Sequence, residues 1–220
     1  RACIVEAANN DGRYGEALAA ADDLVADLRR DLPAQASLLV SVLGEESFAQ
    51  AKFERRRESF AALEEAVAVA EQHLGPLHEQ TLDALGFLSN THTHFGERAL
   101  ALEVGELAVR RARQAFGAQR PHTRLVSPER WYATALVARG RPAEAEPLAR
   151  QVVADQRLLD GGMSLRVVQA MAVHSSALAA LGRTRAAVDL SQQVVDEHAR
   201  LHPGDHRDKA ILAERLALQL

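Results

Sequence analysis

The 220 residues hold one cysteine, Cys3, so no disulfide framework can form within the chain. No apolar run approaches the roughly 20 residues a bilayer needs, which excludes a transmembrane helix and makes a membrane partner unexpected. Basic residues do not dominate: 26 Lys and Arg stand against 30 Asp and Glu, giving a net charge of −4. Broad nucleic-acid binding needs a basic field to displace counterions, so no nucleic-acid partner is expected. Aromatics make up only 4% of the chain, and strand formers such as Ile and Tyr are thin. A thick aromatic core is therefore excluded, and any core must be built from Ala, Leu and Val.

What is present is helical. Ala, Leu, Arg, Glu and Val dominate, and most of these are strong helix formers. With 47% hydrophobic and 25% charged residues, bulk disorder is excluded too. The length allows one or two ordinary domains or one elongated array. The sequence opens on Arg1 and is at once helical (RACIVEAANN), so it looks cut from something longer. No signal peptide is visible, and a cytoplasmic location is expected.

Four stretches look alike: DGRYGEALAAA (11–21), HFGERALALEVGELA (94–108), ARGRPAEAEPLA (138–149) and ALGRTRAAVDLS (180–191). Their glycines, Gly12, Gly96, Gly140 and Gly182, lie 84, 44 and 42 residues apart. The first spacing is twice the last, so a further member is due at position 54. There the sequence reads KFERRRESFAALEEAVAVA, with Glu54 in the glycine slot. A second marker keeps the same period: Gly75 and Gly117 are 42 apart, as are Thr81 and Thr123. The segment LGPLHEQTL (74–82) is echoed by FGAQRPHTRL (116–125) and weakly by HPGDHRDKA (202–210). Self-similarity at such a period marks a repeat architecture.

Each unit reads as helix, glycine turn, helix. In the fourth, Val167, Met171, His174, Leu178 and Leu181 recur at steps of 4, 3, 4 and 3, one face of an α-helix. Gly182 ends that helix, and Ala187, Leu190 and Val194 share a face of the next. Short connections make the two helices antiparallel neighbours. Numbering each repeat so that the turn glycine is position 15 brings small residues into register. Position 20 is Ala17, Ser59, Ala101, Ala145 and Ala187; position 8 is Val5, Ser47, Ser89, Ala133 and Ser175. These positions predict close approach of the two backbones. Two irregularities are expected. Without its glycine, the pair around Glu54 is splayed or merged. Ser127-Pro128, a good N-cap and first-turn pair, starts its helix late and leaves 120–127 as a loop.

These residues resemble the tetratricopeptide repeat, and the 42-residue period with its LG-P-x-H-x-x-T linker is similar to the kinesin-light-chain type. The resemblance covers essentially the whole chain and implies an all-α, right-handed α-α superhelix of antiparallel helix pairs. A single array over 1–220 is expected, divided as 1–32, 33–75, 76–117, 118–160 and 161–203, with a partial repeat or capping helix at 204–220. The family's Asn pair at positions 5 and 6 is absent: Gly86-Phe87, Arg130-Trp131 and Ala172-Val173 stand there. An Asn/Lys carboxylate clamp is therefore not implied.

The resemblance also implies that first helices line a concave groove that binds a peptide or protein. Positions 2, 5, 6, 9, 12 and 13 then face the groove. They include Glu6, Asn9 and Asn10, and the candidate binding residues Phe48, Lys52, Phe87, Asn90, His94, Arg130, Trp131, Thr134, Gln169 and Ser176. Thr93 shares this face. Aromatics and Arg dominate interface energetics, and the one Trp stands next to Arg130. Trp131 either contacts ligand or fills space between helices.

Chemistry finds little support. There is no Gly-x-Ser-x-Gly elbow, P-loop or paired-glycine nucleotide fingerprint, so no enzyme and no cofactor are expected. Cys3 reads as a small buried hydrophobe. His92 and His94, two apart on a helix, diverge and cannot share an ion; by register His92 faces the core. His198 and His202, with Asp205 and His206 beyond, have a zinc-compatible spacing, but the helix macrodipole and the repeat linker account for them, and no metal is expected. The runs Arg55-Arg56-Arg57 and Arg110-Arg111-Arg113 read as solvated faces. The expected function is a non-catalytic interaction module, the regulatory part of a larger bacterial signalling protein. A small-ligand or signal-peptide sensor and a self-assembly module forming homo-oligomers are the alternatives.

Overall fold

A computed structural model describes residues 2–201. The segment 202–220, with the expected capping helix and the histidines His202 and His206, lies outside the described residues. Among the described residues every regular element is a helix. The order is α1 (Ala2–Asn10), α2 (Tyr14–Arg30), α3 (Leu32–Lys52), α4 (Arg56–His73), α5 (Glu79–His94), α6 (Arg98–Phe116), α7 (Thr123–Ala138), α8 (Pro142–Asp160), α9 (Leu165–Ala180) and α10 (Thr184–Leu201). They form two compact units, α1–α6 and α7–α10. In both, antiparallel helix pairs succeed one another as in a tetratricopeptide-like array.

The turn inside each pair is a Schellman closure. Gly12, Gly96, Gly140 and Gly182 take φ between 71° and 79°, a left-handed conformation that costs glycine nothing. The next residue's N–H reaches back five residues: Arg13 to Ala8 O, Glu97 to His92 O, Arg141 to Leu136 O and Arg183 to Leu178 O. Glu54 closes the same turn at φ 56°, with Arg55 N–H bonded to Gln50 O at 3.0 Å. The expected splaying or merging of this pair does not occur. The backbone bonds of the closure suffice to hold a residue with a Cβ in the left-handed region. That conformation costs such a residue about 1–2 kcal/mol, against roughly 0.5–1 kcal/mol of extra unfolded-state freedom for glycine. Glu54→Gly is therefore expected to stabilise the chain by up to about 1 kcal/mol. A raised urea midpoint at unchanged slope is the readout.

The linker histidines are helix caps. His78 Nδ1 accepts from Gln80 N–H at 3.3 Å ahead of α5, and His122 Nδ1 accepts from Arg124 N–H at 3.2 Å ahead of α7. Thr81 Oγ1 donates to Gly75 O at 2.7 Å and ties the linker down. Helix α7 thus begins at Thr123, and the expected loop to residue 127 is a correction. Pro128 lies inside α7, buried, in its second turn. Its missing N–H forfeits one bond to the Arg124 carbonyl, which the capped first turn survives.

Small residues govern the packing inside each pair. All five residues at position 20 are fully buried, and all at position 8 are at most 2% exposed. The backbones come close enough for Ser89 Oγ to donate to Ala101 O at 2.8 Å and Ser175 Oγ to Ala187 O at 3.0 Å. In the second pair Ser59 Oγ donates to Ser47 O at 3.0 Å, and the two hydroxyls lie 2.9 Å apart.

In the first unit, α1, α3 and α5 pack side by side, and α2 and α4 each lean on the next first helix. The backbones of α2, α4 and α6 do not pack on one another. Long ion pairs span them instead: Arg29 to Glu65, at 2.6 Å, and Arg111 to Glu71, at 2.7 Å. A row whose first helices are more closely spaced than its second helices curves toward the first. In the second unit α7 likewise packs on α9, and α8 on both.

Candidate functional site

On the inner face of the first unit, Phe48 and Lys52 stand one turn apart on α3. Lys52 Nζ lies 4.7 Å from the Phe48 ring centroid and 6.0 Å from that of Tyr14. The two rings meet edge to face at 6.1 Å. An ammonium placed over ring faces gains about 0.5–1 kcal/mol at an exposed site, which helps to order Lys52. On α5, Phe87 is set against the backbone of α3: a Cβ at Gly44 would lie 3.0 Å from Phe87 Cδ2. Asn90 is half-buried and His94 exposed. His94 Nε2 lies 3.2 Å from Glu54 Oε1, and its ring sits edge-on to Phe95 at 4.8 Å.

In the second unit, the Arg130 guanidinium sits 3.8 Å above the Trp131 ring, and both side chains are half-buried. Thr134 Oγ1 donates to Arg130 O at 3.0 Å, one turn back on α7. Gln169 and Ser176 are exposed on α9, and Ser176 Oγ donates to Ala172 O. Phe48 and Lys52, and Arg130 and Trp131, are thus brought together as pairs.

Three features escaped the sequence reading. The first is an ion triad within the second unit. Arg120 Nη1 donates to both Glu129 carboxylate oxygens, at 2.9 and 2.7 Å, and its Nη2 lies 2.6 Å from Asp155 Oδ2. Glu129 is fully buried and the Asp155 side chain 3% exposed. Gln151 Nε2 donates to the other Asp155 oxygen at 2.8 Å. The second is a knot where the α3–α4 turn meets the α5–α6 turn. Arg56 lies 5.6 Å from the centroids of both Phe60 and Phe95 and pairs with Glu97, while His92 Nδ1 reaches Glu97 Oε2 at 2.5 Å. The His92 bond, aided by Arg56, holds the Glu97 carboxyl below the usual carboxylate range. His92 is thus turned to Glu97 and to Phe60, 4.9 Å away. The third joins α1 to α3: Asn9 Nδ2 donates to Glu45 O at 2.9 Å and to Glu45 Oε2 at 2.8 Å. Cys3 is exposed, not buried as expected, because on the nine-residue α1 the buried positions are Val5, Ala8 and Asn9. Among the described residues no group of three His, Cys, Asp or Glu side chains is placed to hold a metal ion, and no helix is long and apolar enough to cross a membrane.

Residues 81–122 match the family model of the tetratricopeptide repeat. The chain resembles the crystal structure of nearly identical TPR-like repeats assigned to a kinesin light chain of Podosopora anserina, with TM-score 0.59 and 23% identity over 91% of this chain and 94% of that one. A single-substitution form of those repeats gives TM-score 0.60 and 22% identity, over 92% and 95%. BtubC (BKLC) from P. vanneervenii gives TM-score 0.70 and 18% identity, over 92% of this chain and 81% of that one. No curated protein matches the chain.

The matched stretch is a tetratricopeptide repeat, and the described residues fold like a tetratricopeptide array. The fold is similar to that of the kinesin-light-chain repeats. The matched stretch of this tetratricopeptide array takes in α5, α6 and the linker that ends at the capping His122. Tetratricopeptide repeat domains are generally protein–protein interaction modules and typically non-catalytic.

Proposed function

We propose that this chain is a non-catalytic module that binds a peptide or extended protein segment along the faces of its first helices, as the regulatory part of a larger signalling protein. One observation carries the reading. First helices pack side by side while second helices do not, which turns the first-helix face into an inner wall in the α1–α6 unit. That wall presents ordered, partly exposed aromatic and cationic groups: Phe48 with Lys52, and His94 beside Phe95. On the α7–α10 unit the counterpart is Arg130 on Trp131. Pre-ordered rings and guanidinium groups lose little entropy on binding, which suits them to anchor a flexible segment. Phe48, Lys52, Phe87, Asn90, His94, Arg130, Trp131, Thr134, Gln169 and Ser176 make up the proposed contact set. Phe87 has the smallest role, since it already packs against Gly44.

A pull-down followed by titration of the captured segment tests this. Trp131→Ala is expected to weaken binding by about tenfold or more, as an interface anchor does. His94→Ala should weaken it less. Binding that survives both substitutions unchanged places the partner elsewhere and removes the proposal.

A further inference from the structure

Half-buried and buried carboxylates in this chain are usually answered by a cation. Glu129 has Arg120, Glu97 has Arg56 and His92, and Glu146 has His174 and Arg150. The face shared by α1 and α3 departs from that rule. Asn9, only 4% exposed, gives its amide protons to the Glu45 carbonyl and to Glu45 Oε2. Both partners are acceptors, so the amide cannot be flipped without losing both bonds. Its Oδ1 is left buried with no donor among the described residues. Glu6 stands one turn before Asn9 on the same side of α1, exposed, and close enough to act on Glu45. Burial foremost, and Glu6 after it, push the Glu45 carboxyl up, while the Asn9 bond works against them. No described cation pairs with Glu6 or Glu45. Lys52, farther along α3, lies over the rings of Phe48 and Tyr14.

Among the described residues the two carboxylates on this face have no cationic partner, Glu45 is met by the Asn9 amide, and the buried Asn9 Oδ1 has no donor. A lysine ammonium supplies one charge and three donors, and an arginine guanidinium one charge and five. A partly desolvated carboxylate rewards such a group more than a solvated one does. We infer that the α1–α3 face is a subsite for a lysine or arginine side chain of the bound segment, received by Glu45 and Glu6, with Asn9 holding the Glu45 carboxylate in place. The inference rests on the interaction reading above and names the chemistry of the partner: a basic residue in the stretch that crosses the first two helix pairs.

The test uses fluorescent pools of short peptides, randomised except at a central residue fixed as lysine, arginine, acetyl-lysine or glutamate. Binding is read by anisotropy for the parent chain and for Glu6→Gln/Glu45→Gln. Glutamine in place of Glu45 keeps an oxygen for the Asn9 amide, and an unchanged melting curve verifies the fold. The lysine and arginine pools are expected to bind the parent about tenfold more tightly than the acetyl-lysine and glutamate pools. That preference should vanish in the double variant. Binding with no lysine or arginine preference, or a preference the double variant retains, overturns the subsite and leaves the interaction reading standing. No binding by any pool overturns both.

Discussion

Arg120→Ala is expected to cost about 3–5 kcal/mol of unfolding free energy, the largest loss from any single change considered for this chain. The reason is where its partners lie. Glu129 is fully buried on α7 and Asp155 nearly so on α8, and one guanidinium reaches both. Two carboxylates left in the interior without that cation pay a desolvation penalty that neutral hydrogen bonds offset only in part. Of their other neighbours, Gln151 donates to only one of the four carboxylate oxygens. Chemical denaturation should show the loss as a lowered urea midpoint. A triple replacement, Arg120→Met with Glu129→Leu and Asp155→Leu, should recover most of the stability, because an apolar set of similar volume carries no stranded charge. If Arg120→Ala melts with the parent, the triad does not hold the loop before α7 to its unit.

Periodicity revealed the pairs and their turns because both have local causes. A glycine at a left-handed turn and a small side chain at a helix crossing are each demanded by backbone geometry, and both recur every 42 residues or so. The departures come from competition between local preference and surroundings. Glu54 carries the wrong side chain for its φ, yet Arg55 N–H still finds Gln50 O and the turn closes. Ser127-Pro128 has good capping chemistry, but the linker histidine His122 caps the helix four residues earlier.

The triad was invisible for a different reason. Arg120, Glu129 and Asp155 read as surface charges scattered over 35 residues, and no spacing rule joins a loop to the middle of two helices. The candidate site was legible only as register. Position numbers place Phe87, Lys52 and His94 on one face, but they do not say which partner each side chain has already taken. Gly44 was the available signal for Phe87: a glycine in the middle of a long helix marks where another side chain comes close.

Ala101→Phe is expected to cost about 3 kcal/mol, from overpacking of roughly 1–3 kcal/mol together with a buried hydrogen bond worth about 1 kcal/mol. Ala101 is fully buried at the crossing of α5 and α6, where Ser89 Oγ reaches the Ala101 carbonyl at 2.8 Å. A ring cannot enter without separating the helices, and separation leaves the Ser89 hydroxyl and that carbonyl unpaired. The adjacent Leu100, 46% exposed, is the control: Leu100→Phe should change stability by no more than about 0.5 kcal/mol. Ala101→Ser should also be mild, because the second helix pair already carries serine at this position. There Ser59 bonds Ser47 across the same crossing, so a hydroxyl fits where an aromatic ring does not. Equal melting of the Ala101→Phe and Leu100→Phe chains would mean that the crossing has room to spare. The backbone-to-side-chain bonds that repeat through the array would then be a consequence of its packing and not a condition of it.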